Sequence, residues 1–146
     1  MADHSFISCW IHLVWSTKNR QKALLSETRI KLSEFLKEYS ESKEIYMKIN
    51  YVNSDHVHIL IDLPSNMSVE YAAKTLKGGS SHWINKKRLT LNKFSWARGY
   101  GAFSVSESNV NKVARYIANQ RSHHKKKTFK EEYDDFMDAY RNRKNR

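Results

Sequence analysis

Hydrophobic and polar positions along the chain change period several times, and each change marks an element. From Phe6 to Trp15, the residues Ile7, Cys9, Ile11, Leu13 and Trp15 alternate with Phe6, Ser8, Trp10, His12 and Val14. Period-two alternation is a strand signal, here with one uninterrupted apolar face and one mixed face. The pattern breaks into a basic loop, Thr17 to Lys22. Ser26 then reads as an N-cap with Glu27 in the first turn. Leu32, Phe35, Leu36 and Tyr39 recur at helical spacing, which predicts a helix to Ser42. Alternation returns from Ile45 to Val52, with Ile45, Met47, Ile49 and Tyr51 on one face. Asn53-Ser54-Asp55 is a turn-rich link, so short that the flanking strands must form an antiparallel hairpin. The strand that follows puts Val57, Ile59, Ile61 and Leu63 on a core face. His56, His58, Leu60 and Asp62 take the other face.

Further on, Pro64-Ser65-Asn66 closes that strand and Ser68 caps a helix with the seam Val69, Ala72, Ala73, Leu76, Ser80, Trp83 and Ile84. Gly78-Gly79 interrupts the seam. Glycine costs about 1 kcal/mol relative to alanine inside a helix, so the pair predicts a kink or a close backbone approach. Phe94 to Val105 reads as strand, glycine-containing bend, strand. Ser106 or Ser108 caps a third helix, with Val110, Val113, Ala114 and Ile117 as its buried stripe. A basic run from Arg121 to Lys127 precedes a last helix, Phe129 to Tyr140. The order β-α-β-β-α-β-α-α predicts the α+β class. The expected architecture is a ferredoxin-like antiparallel sheet from a βαββαβ core, with helices on one face and an additional C-terminal helix. Residues 1–146 make one domain, and 121–146 form its basic tail helix.

Composition narrows the function. One proline and four glycines argue against a linker-rich chain, and 40% hydrophobic residues suffice for a core. The single cysteine, Cys9, excludes an intramolecular disulfide and a cysteine-based zinc site. No apolar run is long enough to span a membrane and the N-terminus lacks a signal pattern. A cytoplasmic location without a membrane partner is therefore expected. The net charge of +11 favours a polyanionic partner, nucleic acid first.

Within that frame the histidines carry the chemistry. His56 and His58 share a strand face about 6–7 Å apart at the backbone, close enough for both imidazoles to meet one ion. Such a pair, alone, also fits ordinary surface residues. His12 lies on the mixed face of the first strand, as a neighbour of the pair if the strands adjoin, or as a structural or phosphate-contacting residue. On the third helix Tyr116 and Gln120 stand one turn apart, about 40° around the axis, at the margin of the apolar stripe.

His-hydrophobic-His on a strand followed by Tyr116-Ile117-Ala118-Asn119-Gln120 on a later helix resembles the HUH superfamily. Within it the chain is similar to the single-tyrosine transposases of small bacterial insertion sequences, of which the REP-associated tyrosine transposases are relatives. The likeness includes His12-Leu13-Val14-Trp15-Ser16-Thr17-Lys18, Leu76-Lys77-Gly78-Gly79-Ser80-Ser81 and Trp96-Ala97-Arg98-Gly99-Tyr100. It implies that His56, His58 and Gln120 hold one divalent cation, Mg²⁺ or Mn²⁺, and that Tyr116 is the nucleophile. Single-stranded DNA would be cut through a 5′-phosphotyrosine intermediate and rejoined, with hairpins at the element's ends recognised. His12 and Asp55 would support the ligands from behind. Lys18, Arg20, Lys74, Lys77, Arg98, Arg121 and Lys125 would contact DNA. A homodimer sharing its active sites between subunits is also implied. Two other readings stand beside it: a domesticated relative that processes chromosomal hairpins, and a non-catalytic, ferredoxin-like nucleic-acid-binding module.

Overall fold

A computed structural model of the chain describes residues 5–120 together with Lys130, Glu131, Asp134 and Asp135. The basic run from Arg121 and most of the expected tail helix, with Arg121 and Lys125, lie outside the described residues.

Seven main elements follow the expected order: β1 (Trp10–Ser16), α1 (Ser26–Ser42), β2 (Tyr46–Val52), β3 (His56–Asp62), α2 (Val69–Lys86), β4 (Gly101–Val105) and α3 (Val110–Ala118). The strands form one sheet in the order β2-β3-β1-β4, antiparallel at every pairing. This is the ferredoxin-like order, and the chain is α+β as its pattern predicts. The main core lies between one sheet face and helices α1 and α2. Leu13, Trp15, Val57, Ile59 and Ile61 meet Leu32, Leu36, Ala72, Ala73, Leu76 and Ile84 there. The opposite face is covered by α3, where Leu60, Val110 and Ile117 form a second cluster with Trp10, Ile49, Tyr51 and Tyr116.

Several local expectations are corrected. β1 begins at Trp10, and Phe6 and Ile7 before it are exposed. Among the described residues no partner strand extends far enough to pair them, because the β1–β3 and β1–β4 ladders both start at Trp10. Ser26 is the first residue of α1, and Leu25 occupies the cap position without a side-chain bond. Ser68 does cap α2, its Oγ accepting from the Tyr71 amide at 3.0 Å.

In β2 the alternation fails. The pairing runs Met47↔Ile61 and then Ile49↔Leu60, so one extra residue enters between them. A bulge of one residue exchanges the faces beyond it. Ile45 and Met47 therefore face the main core, whereas Ile49 and Tyr51 turn toward α3. The first half of 94–105 is not a strand. Trp96 makes only an isolated bridge to Thr17, and Phe94 and Trp96 fill the core from a loop. The glycine pair produces no break in α2, which runs unbroken from Val69 to Lys86. A Cβ at Gly79 would collide with the Tyr39 ring of α1, so the pair marks a close approach of two helices. A 3₁₀ turn, Glu107–Asn109, leads into α3, with Ser106 before it.

Candidate active site

β3 is an interior strand with a helix layer on each face, so six of its seven residues are buried. His56 and His58 share the α3-facing side, as their spacing predicts, but they are sealed rather than half-exposed: 1% and 0% accessible. The open sheet platform of a ferredoxin-like RNA binder is thus absent from this face, because α3 occupies it.

Burial demands partners for each imidazole nitrogen. His56 Nδ1 lies 2.7 Å from Asp55 Oδ1, and a carboxylate can only accept there, so Nδ1 carries the proton. His58 Nδ1 lies 3.0 Å from His12 Nε2. The β1–β3 register makes this contact: His12 pairs with Leu60 and Val14 with His58, which sets His12 diagonally beside His58. The two rings stack with centroids 5.2 Å apart. The His56 and His58 rings are 5.1 Å apart at 76°. Each member of the pair is therefore held through Nδ1, by Asp55 in one case and His12 in the other. Metal-ligating histidines are oriented in this way; Nε2 is the lone-pair nitrogen of His56, and it is that of His58 in the tautomer whose Nδ1 donates to His12.

Tyr116 comes to the same place from α3. Its ring lies 6.0 Å from that of His58 and 6.4 Å from that of His12, both edge-on. Val110 and Ile117 anchor α3 on the sheet and so set the azimuth of Tyr116, which is only partly buried. The Tyr116 ring thus stands beside His58 and His12 of the same chain. Gln120, one turn further, is fully buried. Its Nε2 donates to the Tyr116 carbonyl at 3.4 Å, so the amide oxygen is its atom with ligand character.

The donor set suits a divalent cation in part. No group of three or more His, Cys, Asp or Glu side chains among the described residues is placed to hold a metal. An ion here would rely on two imidazole nitrogens and a neutral amide oxygen, a set that does not select one metal. Asn53, expected only to form part of a turn, adds a competitor: its Nδ2 lies 3.0 Å from His56 Nε2. A cation takes that lone pair only in exchange for this bond. The one sequence signal for Asn53 was its place in the turn before the histidine strand.

The basic residues divide. Arg20 and Arg98 line one cleft of about 290 Å³ with Val14, Ser16, Asn19 and Tyr100. Lys18 lines a neighbouring groove. Lys74 sits on α2, in the helix layer opposite the histidines, and pairs with Glu70 at 3.2 Å. Lys77 donates to the Ala97 carbonyl at 2.9 Å and the Gly99 carbonyl at 2.7 Å. Burial pulls its ammonium below the ordinary lysine value. Its charge holds the 97–99 loop, a role its place in a basic stretch did not reveal.

A ferredoxin-like sheet with paired histidines on an interior strand and a tyrosine helix laid over them defines the class. Comparison with known proteins gives the family. The model of the IS200-like transposases matches residues 5–120, and the chain belongs to that family. The transposase for insertion sequence element IS200 of Salmonella typhimurium is 30% identical over 122 residues, 80% of each chain. The ISDra2 transposase TnpA of Deinococcus radiodurans is 25% identical over 114 residues, 75% of this chain and 81% of that one. Among solved structures, a Deinococcus radiodurans protein provisionally assigned as a transposase superposes with a TM-score of 0.66 at 24% identity, covering 82% of this chain and 96% of that chain. A REP-associated tyrosine transposase bound to a REP hairpin superposes with a TM-score of 0.62 at 14% identity, covering 85% and 74%. These two show the shared fold. No helix among the described residues is long and apolar enough to cross a membrane.

Proposed function

We propose that this transposase cuts and rejoins single-stranded DNA with Tyr116 as nucleophile, at a site where His56, His58 and Gln120 hold Mg²⁺ or Mn²⁺. The observation that carries the reading is the Tyr116 ring 6.0 Å from His58, in a chain of the IS200-like family. The Tyr116 oxygen attacks a backbone phosphorus. The bond from phosphorus to the 3′-oxygen breaks, and the phenol proton passes in net terms to that oxygen, which leaves as a 3′-OH. A second 3′-OH attacks the 5′-phosphotyrosine, phosphorus returns to a sugar oxygen, and the phenol regains its proton. One phosphodiester is exchanged for another, so no nucleotide triphosphate is consumed.

A bound cation supplies Lewis-acid stabilisation of charge on the phosphate oxygens. The chain's own residues do the rest. Asp55 and His12 fix the two imidazoles, α3 sets the phenol over them, and the sheet and helix layers keep the pair from bulk water. An unperturbed tyrosine titrates near pH 10, so its attack requires assistance in losing the proton. DNA with a hairpin fits as substrate: the related REP-associated transposase was solved with one, and this chain's charge is +11. A homodimer remains part of the proposal. Active sites shared between the subunits belong to the same proposal.

The test is incubation of the full chain with labelled single-stranded DNA from its own flanking sequence, with Mg²⁺ or Mn²⁺. A denaturant-resistant protein–DNA band is expected. Tyr116→Phe should abolish the band while DNA binding persists. Unchanged cleavage by Tyr116→Phe, or full activity in EDTA, would refute the reading.

A further inference from the structure

We propose that the acidic, aromatic segment 129–140 of this chain docks in the groove between the first turn of α1 and the loop after α2, seated on Leu25 and Leu91 and ringed by Lys18, Lys22 and Lys93. The inference is independent of the DNA chemistry proposed above.

The groove is apolar at its centre and basic at its rim. Leu25 is 71% exposed and Leu91 100%, and both line one space of about 690 Å³. Leu89 and Phe94 continue its wall. Large apolar side chains left together in water mark an interaction surface. Lys18, Lys22 and Lys93 are exposed around them, and no Asp or Glu is among the described residues that line the space. Glu27, the carboxylate nearest to Leu25 along the chain, pairs with Lys31 at 3.2 Å.

The loop that carries Leu91 is held in place. Asn85 clamps Phe94 from both sides: its Nδ2 donates to the Phe94 carbonyl at 2.9 Å, and its Oδ1 accepts from the Phe94 amide at 2.7 Å. Thr28 Oγ1 donates to the Leu89 carbonyl at 3.1 Å, which ties the loop to α1. The Lys18 amide donates to the Ser95 carbonyl at 3.1 Å and closes the far end.

Segment 129–140 has the complementary chemistry. It carries five Asp and Glu against one Lys, a net −4 within a chain of +11. Phe129, Tyr133, Phe136 and Tyr140 recur at i, i+4, i+7 and i+11, the anchor spacing with which an amphipathic helix fills an apolar groove. The described Lys130, Glu131, Asp134 and Asp135 are helical and exposed. A DNA strand is the poorer match. Unpaired bases stack on accessible aromatic rings, whereas the exposed apolar wall is aliphatic and Phe94 is buried. Reach also suffices. The eight residues 121–128 span up to about 26–29 Å when extended. They follow Gln120, one turn from Tyr116 at the histidine pair. The groove begins at Thr17, next to Ser16, the register partner of His56. A short tether gives an effective concentration of about millimolar, so modest intrinsic affinity suffices and the chain's own segment is favoured over a neighbour's.

The test is zero-length carbodiimide cross-linking of the full chain, which joins a lysine amine to a carboxylate in contact with it. An equal mixture of unlabelled and isotope-labelled chains is read by peptide mass spectrometry. Cross-links from Lys22 or Lys93 to carboxylates of 129–140 are expected, each within one isotope. Leu25→Ser with Leu91→Ser should reduce them to the level seen at Lys37, on the distant half of α1. Both leucines are exposed, so this double variant keeps the fold, which thermal unfolding checks. Cross-links of mixed isotope would assign the segment to a second copy and overturn the proposal. So would cross-links that persist in the double variant, or none above the Lys37 level in the unaltered chain. Absent cross-links together with weaker single-strand binding by the double variant would give the groove to DNA instead.

Discussion

His12→Phe isolates the contact that ties β1 to the histidine pair. Phenylalanine keeps a ring of similar size but removes Nε2, the partner of His58 Nδ1 at 3.0 Å. Both residues are sealed from water, at 3% and 0% exposure, so solvent cannot replace the bond. A buried polar group stripped of a partner costs about 1–3 kcal/mol, which for a chain of this length lowers Tm by roughly 3–10 °C. The second consequence is specific to function. A metal on His58 Nε2 requires the proton on Nδ1, and His12 Nε2 stands 3.0 Å away where it can accept it; losing such an outer partner weakens metal affinity about 10–100-fold. The assay is Mn²⁺ titration by isothermal calorimetry on the full chain, beside metal-free thermal unfolding. His12→Gln places an amide oxygen near the former Nε2 and should recover most of the affinity. Wild-type Mn²⁺ affinity in His12→Phe, or no recovery in His12→Gln, would refute the reasoning.

Other outcomes follow from the same contacts. Asn53→Ala removes the bond that competes for His56 Nε2; a net hydrogen bond of about 0.5–1.5 kcal/mol predicts several-fold tighter Mn²⁺ binding, and weaker binding would show that Asn53 supports the ligand instead. The adjacent glycines should respond with opposite signs. Gly78 has open space where a Cβ would stand, so Gly78→Ala should stabilise by about 0.5–1 kcal/mol. Gly79→Ala meets the Tyr39 ring, itself stacked on Phe35, and should destabilise by about 1–3 kcal/mol; urea unfolding reads both. Lys77→Met should cost about 1–2 kcal/mol and weaken DNA binding by releasing the 97–99 loop. Burial lowers the folded-state pKa of Lys77 below 10.5, so the folded chain holds that proton less tightly than the unfolded one. Its charged form is penalised fully at neutral pH, and stability should rise as pH climbs from the folded value toward 10.5. Lys77→Met should flatten that rise.

The alternation of β1 and β3, the helical periods of α1 and α3 and the Ser68 cap were legible because each depends on near neighbours in sequence. So was the shared face of His56 and His58, since strand geometry alone puts residues two apart on one side. The failures have an equally local cause. The bulge after Met47 adds a residue that only the partner strand can reveal, so Ile49 and Tyr51 were assigned to the wrong face. Phe94 and Trp96 have strand-like composition, but burial in the core from a loop satisfies them as well.

The sequence by itself determined the class of fold, the order of its elements and the residue types that carry the chemistry, because hydrophobic period and side-chain identity are properties of the chain alone. Tertiary structure decided which of those residues meet. His12 reaches His58 only through a register between strands 46 residues apart, and Tyr116 meets both only because α3 packs on the face that α1 and α2 leave uncovered. It also assigned Lys77 to a loop and Arg20 and Arg98 to one cleft, since charges alike in composition differ only in what the fold puts in front of them.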